Sequence, residues 1–275
     1  MADRCTLVLF NTVERLLRGD FFHVSEMEDV TAALGGFPQH WPVVGLGTSN
    51  WYKRNGELVV GGDCETPAFY WGDPTTKPPG RKVDLAAELP EGFGADDLVT
   101  PEVGKDDTFP RFPFVCAAAC RPEDEVALEL PQGRNIEEWL NEEMAERNIG
   151  LCAIQGEMRL SEADYTTCCH IPIGGFAELE GDIYSAFKEG TVLEKMWDLR
   201  GLYALNPTVQ KMISVEGHPL HLHGHTDESQ IAGHLTKALP EATGRIRMWP
   251  IQDLKLTIRD LNAAWLPVAE EVQEG

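Results

Sequence analysis

The segment His221-Leu222-His223, followed by Gly233-His234 with His234 eleven residues after His223, constrains this chain more than any other feature. Alternate residues of a β-strand project to the same side, so an extended stretch aims both imidazoles of the pair at one point. Thr226-Asp227-Glu228-Ser229 reads as a polar turn, and a chain that reverses there brings His234 back beside the first two. The pattern therefore predicts strand, turn and strand, with three imidazoles converging. Three neutral histidines with a position left for water or substrate form a catalytic rather than a structural site for a borderline-soft divalent ion such as zinc. Five of the eight histidines lie between His218 and His234, a clustering that chance placement explains poorly. His225 continues the alternation and is the rival ligand, whereas His218 is not expected to bind.

Charge narrows the partners. Against 23 basic residues stand 45 acidic ones, a formal net charge of −22, so the long-range field repels nucleic acids and anionic membrane surfaces. An anionic substrate would then need a local positive centre, which a bound metal ion supplies. With 275 residues, 43% of them hydrophobic, the chain can bury a large core. Seven cysteines without regular spacing, two of them the adjacent Cys168-Cys169, do not form a disulfide framework, and free thiols in a reducing compartment are expected. The apolar run near Leu7 is too short for a signal peptide and no stretch approaches a membrane span, so a cytoplasmic protein is expected.

Helix and strand signals alternate along the chain. Asn11 to Glu14 and Ser25 to Glu28 read as helix N-termini, the second helix stopping at Gly35-Gly36. Glu57 to Val60 predicts a hairpin strand turning at Gly61-Gly62, and 72–110 a Pro/Gly-rich insertion. Further strands are expected over 112–120, 126–130, 151–154, 245–249 and 254–258. Asn135 to Arg147 predicts an amphipathic helix, and a helical stretch is expected between Gly181 and Gly190. This order suggests an α+β fold of two related halves, 1–148 and a metal-binding 149–275, closing around a shared core.

The histidine segment, from Gly217-His218-Pro219-Leu220-His221 to Ala232-Gly233-His234-Leu235, resembles the acetolactate decarboxylase family. Gly45-Leu46-Gly47-Thr48, Asn55-Gly56-Glu57 and Gly190-Thr191-Val192 are similar to further segments of that family. The resemblance implies a duplicated α+β fold with a mixed or mostly antiparallel sheet in each half, and a homodimer. It also implies a metal-dependent carbon–carbon lyase acting on a small 2-hydroxy-3-oxo acid or related keto acid through a metal-stabilised enolate. Glu57 occupies the family's Asp-Gly-Glu position and is the candidate for moving the proton, with Glu65 a weaker competitor.

One departure points to an altered substrate or reaction. The family carries an arginine in a Val-Arg-Ile-Asp-Gly pattern, where this chain reads Cys152-Ala153-Ile154-Gln155-Gly156. Neither Ala153 nor Gln155 can hold a carboxylate by a charged fork, and the nearby Arg159, three positions after the glycine, need not reach the pocket. A late glutamate of the family has three candidates here, Glu270, Glu271 and Glu274. A hydrolase or isomerase using the same metal, and a non-catalytic metal- or ligand-binding protein, are the alternatives.

Overall fold

A computed structural model describes residues 3–17, 25–51, 54–71, 111–168, 187–226 and 231–257. The insertion expected over 72–110, the turn residues Asp227 to Ser229 and the C-terminal glutamates lie outside the described residues.

The first sheet contains β1 (Thr6–Phe10), β2 (Val43–Trp51), β3 (Arg54–Gly62), β4 (Pro67–Trp71), β5 (Arg111–Ala119) and β12 (Asp253–Thr257). Their order is β12-β1-β5-β2-β3-β4, with β12 parallel to β1 and the other pairs antiparallel. The second sheet is antiparallel and built from β6 (Val126–Leu130), β7 (Leu151–Cys168), β8 (Phe187–Ala204), β9 (Leu220–Thr226), β10 (Ala232–Pro240) and β11 (Gly244–Pro250), in the order β10-β9-β8-β7-β11-β6. Strand β7 pairs with β11 through its first half and with β10 through its second, so β7 to β10 close on one another. The fold is α+β, as expected. The chain crosses between the sheets twice: β6 precedes residue 148 yet belongs to the second sheet, and β12 belongs to the first.

Among the described residues, the α-helices α1 (Val13–Leu17), α2 (Met27–Leu34), α3 (Ile136–Arg147) and α4 (Pro207–Ile213) complete the layers. Val30 and Leu34 of α2 bury against the outer face of the first sheet, and Ile136, Trp139, Leu140 and Met144 of α3 against the second. Between the sheets, Leu7, Leu46 and Phe114 meet Ala153, Leu202 and Trp249, with Leu16 of α1 and Ile213 of α4 at the margin. Asn135 caps α3 by accepting from the Glu137 amide, and the helix ends at Asn148 in the left-handed region. No helix of the described residues is long and apolar enough to cross a membrane.

Several boundaries differ from the sequence reading. The hairpin does not turn at Gly61-Gly62: β3 continues through both, and the reversal is an Asx turn in which Asp63 Oδ1 accepts from the Glu65 and Thr66 amides. Capping of α2 falls on Glu26 and Asp29, one residue later than expected, because Ser25 is held in a bridge to Phe112. The strand expected over 151–154 runs to Cys168, and the end of the stretch read as helical, Phe187 to Gly190, is strand paired with β7. Long-range pairing with a strand of equal length overrides local propensity at both places.

Candidate metal centre

Antiparallel register places the site. His223 on β9 lies opposite His234 on β10 and opposite Arg200 on β8, which in turn faces Gln155 on β7 and, beyond it, Arg247 on β11. Directly opposed residues share a face, so this row looks toward the first sheet. His221, two residues back on the same strand, sits in the next row with Leu202, Ala153 and Trp249. The polar rows thus begin where the apolar inter-sheet core ends.

His221, His223 and His234 come together, each offering a ring nitrogen within 4.8 Å of the other two. Two backbone carbonyls orient the first pair. His223 Nδ1 donates to Leu58 O of β3 at 2.9 Å, and His221 Nδ1 to Ile213 O, a carbonyl left over at the last residue of α4. A carbonyl only accepts, so both Nδ1 atoms carry the proton and both Nε2 atoms present lone pairs. Those Nε2 atoms face each other at 2.9 Å, an arrangement that repels unless a cation lies against them. Burial depresses all three basicities: His221 falls to about 4, a drop its carbonyl partner opposes; His223 falls well below its usual range; and His234 falls to about 3. For the last two, the charges of neighbouring imidazoles add to burial. Three neutral nitrogen donors aimed at one point, two of them oriented by backbone carbonyls, fit a divalent ion of the zinc type.

Glu57 meets this cluster from β3. Its Oε2 lies 3.7 Å from His223 Nε2 and accepts from Thr48 Oγ1 at 3.4 Å, and the carboxylate is buried. Thr48 is the register partner of Glu57 on β2 and also faces Phe114, whose ring lies nearly parallel to His221, 6.4 Å away. Strand β3 therefore supplies a carboxylate at one residue and, at the next, the carbonyl that orients a ligand. Glu65 stays in the exposed Asx turn.

His218 and His225 stand apart from the cluster. His218 is 65% exposed beside Glu137. His225 is buried, but its ring stacks on Tyr70 at 4.2 Å and its Nε2 lies 3.5 Å from Asp198 Oδ2, so strand alternation alone does not make it a fourth member. Position 153 offers no vacancy for an arginine: Ala153 is fully buried between Leu202 and Trp249. Gln155 accepts from Arg247 Nη2 at 2.8 Å. Arg159 is half exposed and paired with Glu241 and Glu194, which removes it as a local substitute.

Sequence reading missed Arg200, because its buried position depends on cross-strand neighbours. Its guanidinium pairs with both Asp198 oxygens, donates to Leu199 O at 2.9 Å and packs against Gly61, where a Cβ would lie 3.1 Å from Nη2. Glycine at 61 permits that approach. Burial, reinforced by the charge of Arg247, lowers the Arg200 pKa to about 10, well above neutrality, and Asp198 balances its charge.

The architecture is that of the acetolactate decarboxylase-like α+β proteins. The α-acetolactate decarboxylase of Bacillus subtilis strain 168 superposes with a TM-score of 0.60 at 15% identity, over 93% of this chain and 90% of that one. The enzyme from Bacillus subtilis subspecies spizizenii gives 0.60 at 16% identity, over 93% and 91%. A Staphylococcus aureus protein of unknown function, described as similar to α-acetolactate decarboxylase, gives 0.58 at 11%, over 91% and 88%. At such identities the likeness is one of fold. No family model and no curated protein matches the sequence.

Proposed function

We propose that this protein is a metal-dependent lyase that cleaves a carbon–carbon bond in a small 2-hydroxy-3-oxo acid or related keto acid, with zinc held by His221, His223 and His234. The observation that carries the reading is the pair of Nε2 lone pairs facing each other at 2.9 Å with the Glu57 carboxylate 3.7 Å from one of them. A divalent ion held there supplies Lewis acidity and positive charge for the oxygens of a hydroxy-ketone. Glu57 is the proton carrier. Its Oε2 takes the proton of the substrate hydroxyl; the bond to the carboxylate carbon breaks, carbon dioxide leaves, and the electron pair passes to the neighbouring carbonyl oxygen. The same carboxyl group then returns the proton to the carbon that lost carbon dioxide, and one further proton taken up from solvent neutralises the remaining alkoxide to give the hydroxy-ketone. Thr48 holds Glu57 in place, and the Leu58 and Ile213 carbonyls keep the ring nitrogens pointed inward. A net charge of −22 disfavours nucleic acid as substrate. A cytoplasmic homodimer with related halves at 1–148 and 149–275 is part of the same reading.

Ala153 favours a substrate other than acetolactate. A buried methyl between Leu202 and Trp249 cannot replace a guanidinium, so the bound carboxylate must be held elsewhere or the preferred substrate must differ. The test is metal analysis of the purified protein followed by a screen of small keto acids, with carbon dioxide release measured before and after chelation. Chelator-sensitive release supports the lyase; metal-dependent turnover without carbon dioxide supports a hydrolase or isomerase, and metal without turnover a binding protein.

A further inference from the structure

Five buried cysteines of the described residues are free thiols, and two of them face each other across a ladder. The last paired residues of β1 and β5 at this end are Thr6 and Ala119, and one step further along the same register sets Cys5 opposite Cys120. The hydrogen bonds there run outward. Cys5 donates its amide to Gln252 Oε1 at 2.8 Å, and its carbonyl accepts from the Gln252 and Asp253 amides; the Cys120 amide donates to Pro42 O at 2.9 Å. Neither amide bonds across the pair, which makes it the narrow, non-hydrogen-bonded kind with Cα atoms about 4.5 Å apart. A disulfide needs roughly 4.4–6.8 Å. Both side chains enter the inter-sheet core, whereas Cys64, the remaining thiol at this end, packs on the opposite face beside α2.

We propose that Cys5 and Cys120 are an oxidisable pair that forms a cross-strand disulfide between β1 and β5. Asp3 and Arg4 beside Cys5 are exposed, so local opening at this end of β1 brings Cys5 to solvent before the core is disturbed. In the closed fold both thiols stay protonated: burial, with the Asp124 carboxylate adding to it, pushes Cys5 up to about 11, and burial holds Cys120 well above its usual value, so the thiolates form on that opening. With a disulfide oxidant such as oxidised glutathione, the Cys5 thiolate attacks one sulfur and expels one glutathione thiolate. The Cys120 thiolate then attacks the Cys5 sulfur and expels the second. One sulfur–sulfur bond is broken and one formed, two protein thiol protons are released, and two glutathione thiols result. The product ties β1, and β12 beside it, to the centre of the first sheet. Cross-linking so distant a pair restricts the unfolded chain and raises the melting temperature by several degrees.

The test incubates the full chain with oxidised glutathione, with and without denaturant below its unfolding transition, and maps peptides without reduction. The expected result is a peptide pair joined through Cys5 and Cys120 and a mass lower by two hydrogens, preserved in Cys64→Ser and absent in Cys5→Ser and Cys120→Ser. Recovery of Cys5 and Cys120 as alkylatable or glutathione-capped residues, or bridges elsewhere, would overturn the proposal. If the serine variants do not fold, the map of the unaltered protein decides alone.

Discussion

Acetolactate turnover by the zinc-loaded, unmodified protein tests the significance of Ala153 most directly. A charged fork to a substrate carboxylate is worth on the order of 2–3 kcal/mol, so its loss slows the reaction by roughly 30- to 150-fold. Relative to an ordinary enzyme turning over about 10 times per second, that leaves well under about 1 per second. Acetoin formed under saturating acetolactate is the readout. Turnover of about 1 per second or faster would refute the reasoning and show that the substrate carboxylate is held without an arginine at 153. Ala153→Arg is not expected to restore activity. The position is fully buried between Leu202 and Trp249, so the longer side chain adds overpacking, typically about 1–3 kcal/mol, to an unpaired buried charge. The variant should be poorly soluble or unfold at a lower temperature; a well-folded, active Ala153→Arg protein would count equally against this account.

Alanine at His221, His223 or His234 should weaken zinc binding by at least about 100-fold, measured by competition with a chromophoric chelator, while alanine at His218 or His225 should not; full zinc retention in His234→Ala would remove that residue from the site. Glu57→Gln should keep the metal yet lower turnover about 10²- to 10⁴-fold, and unchanged turnover would show that another group moves the proton. In the metal-free protein the depressed histidine basicities set the acid limit. Unfolded histidines take up protons below about 6.5, while folded His221 resists until about 4. Stability is therefore full above the unfolded value and declines as the pH falls from about 6.5 toward 4. Denaturant titrations of zinc-stripped protein across that range check the sign, and stability rising on acidification would contradict it.

Sequence determined the elements whose information is local. The alternation of His221 and His223 matches a strand's period, and the spacing to His234 suffices for one reversal, so the triad was legible without knowing the rest of the fold. Helix α3 was legible for the same reason: its cap, apolar face and end all lie within one segment. The length of β7 and the placement of Phe187 to Gly190 in a strand were not, because each depends on a partner strand elsewhere in the chain. Alternation alone gave His225 the same claim as its neighbours. Stacking on Tyr70 of β4 and the approach to Asp198 of β8 set it apart, and no spacing within the histidine segment encodes either contact. Likewise, the tautomers of His221 and His223 rest on carbonyls of Ile213 and Leu58, from the end of a helix and a strand of the other sheet. Sequence thus chose which side chains could bind a metal; packing of two sheets decided which of them meet, and with which nitrogen.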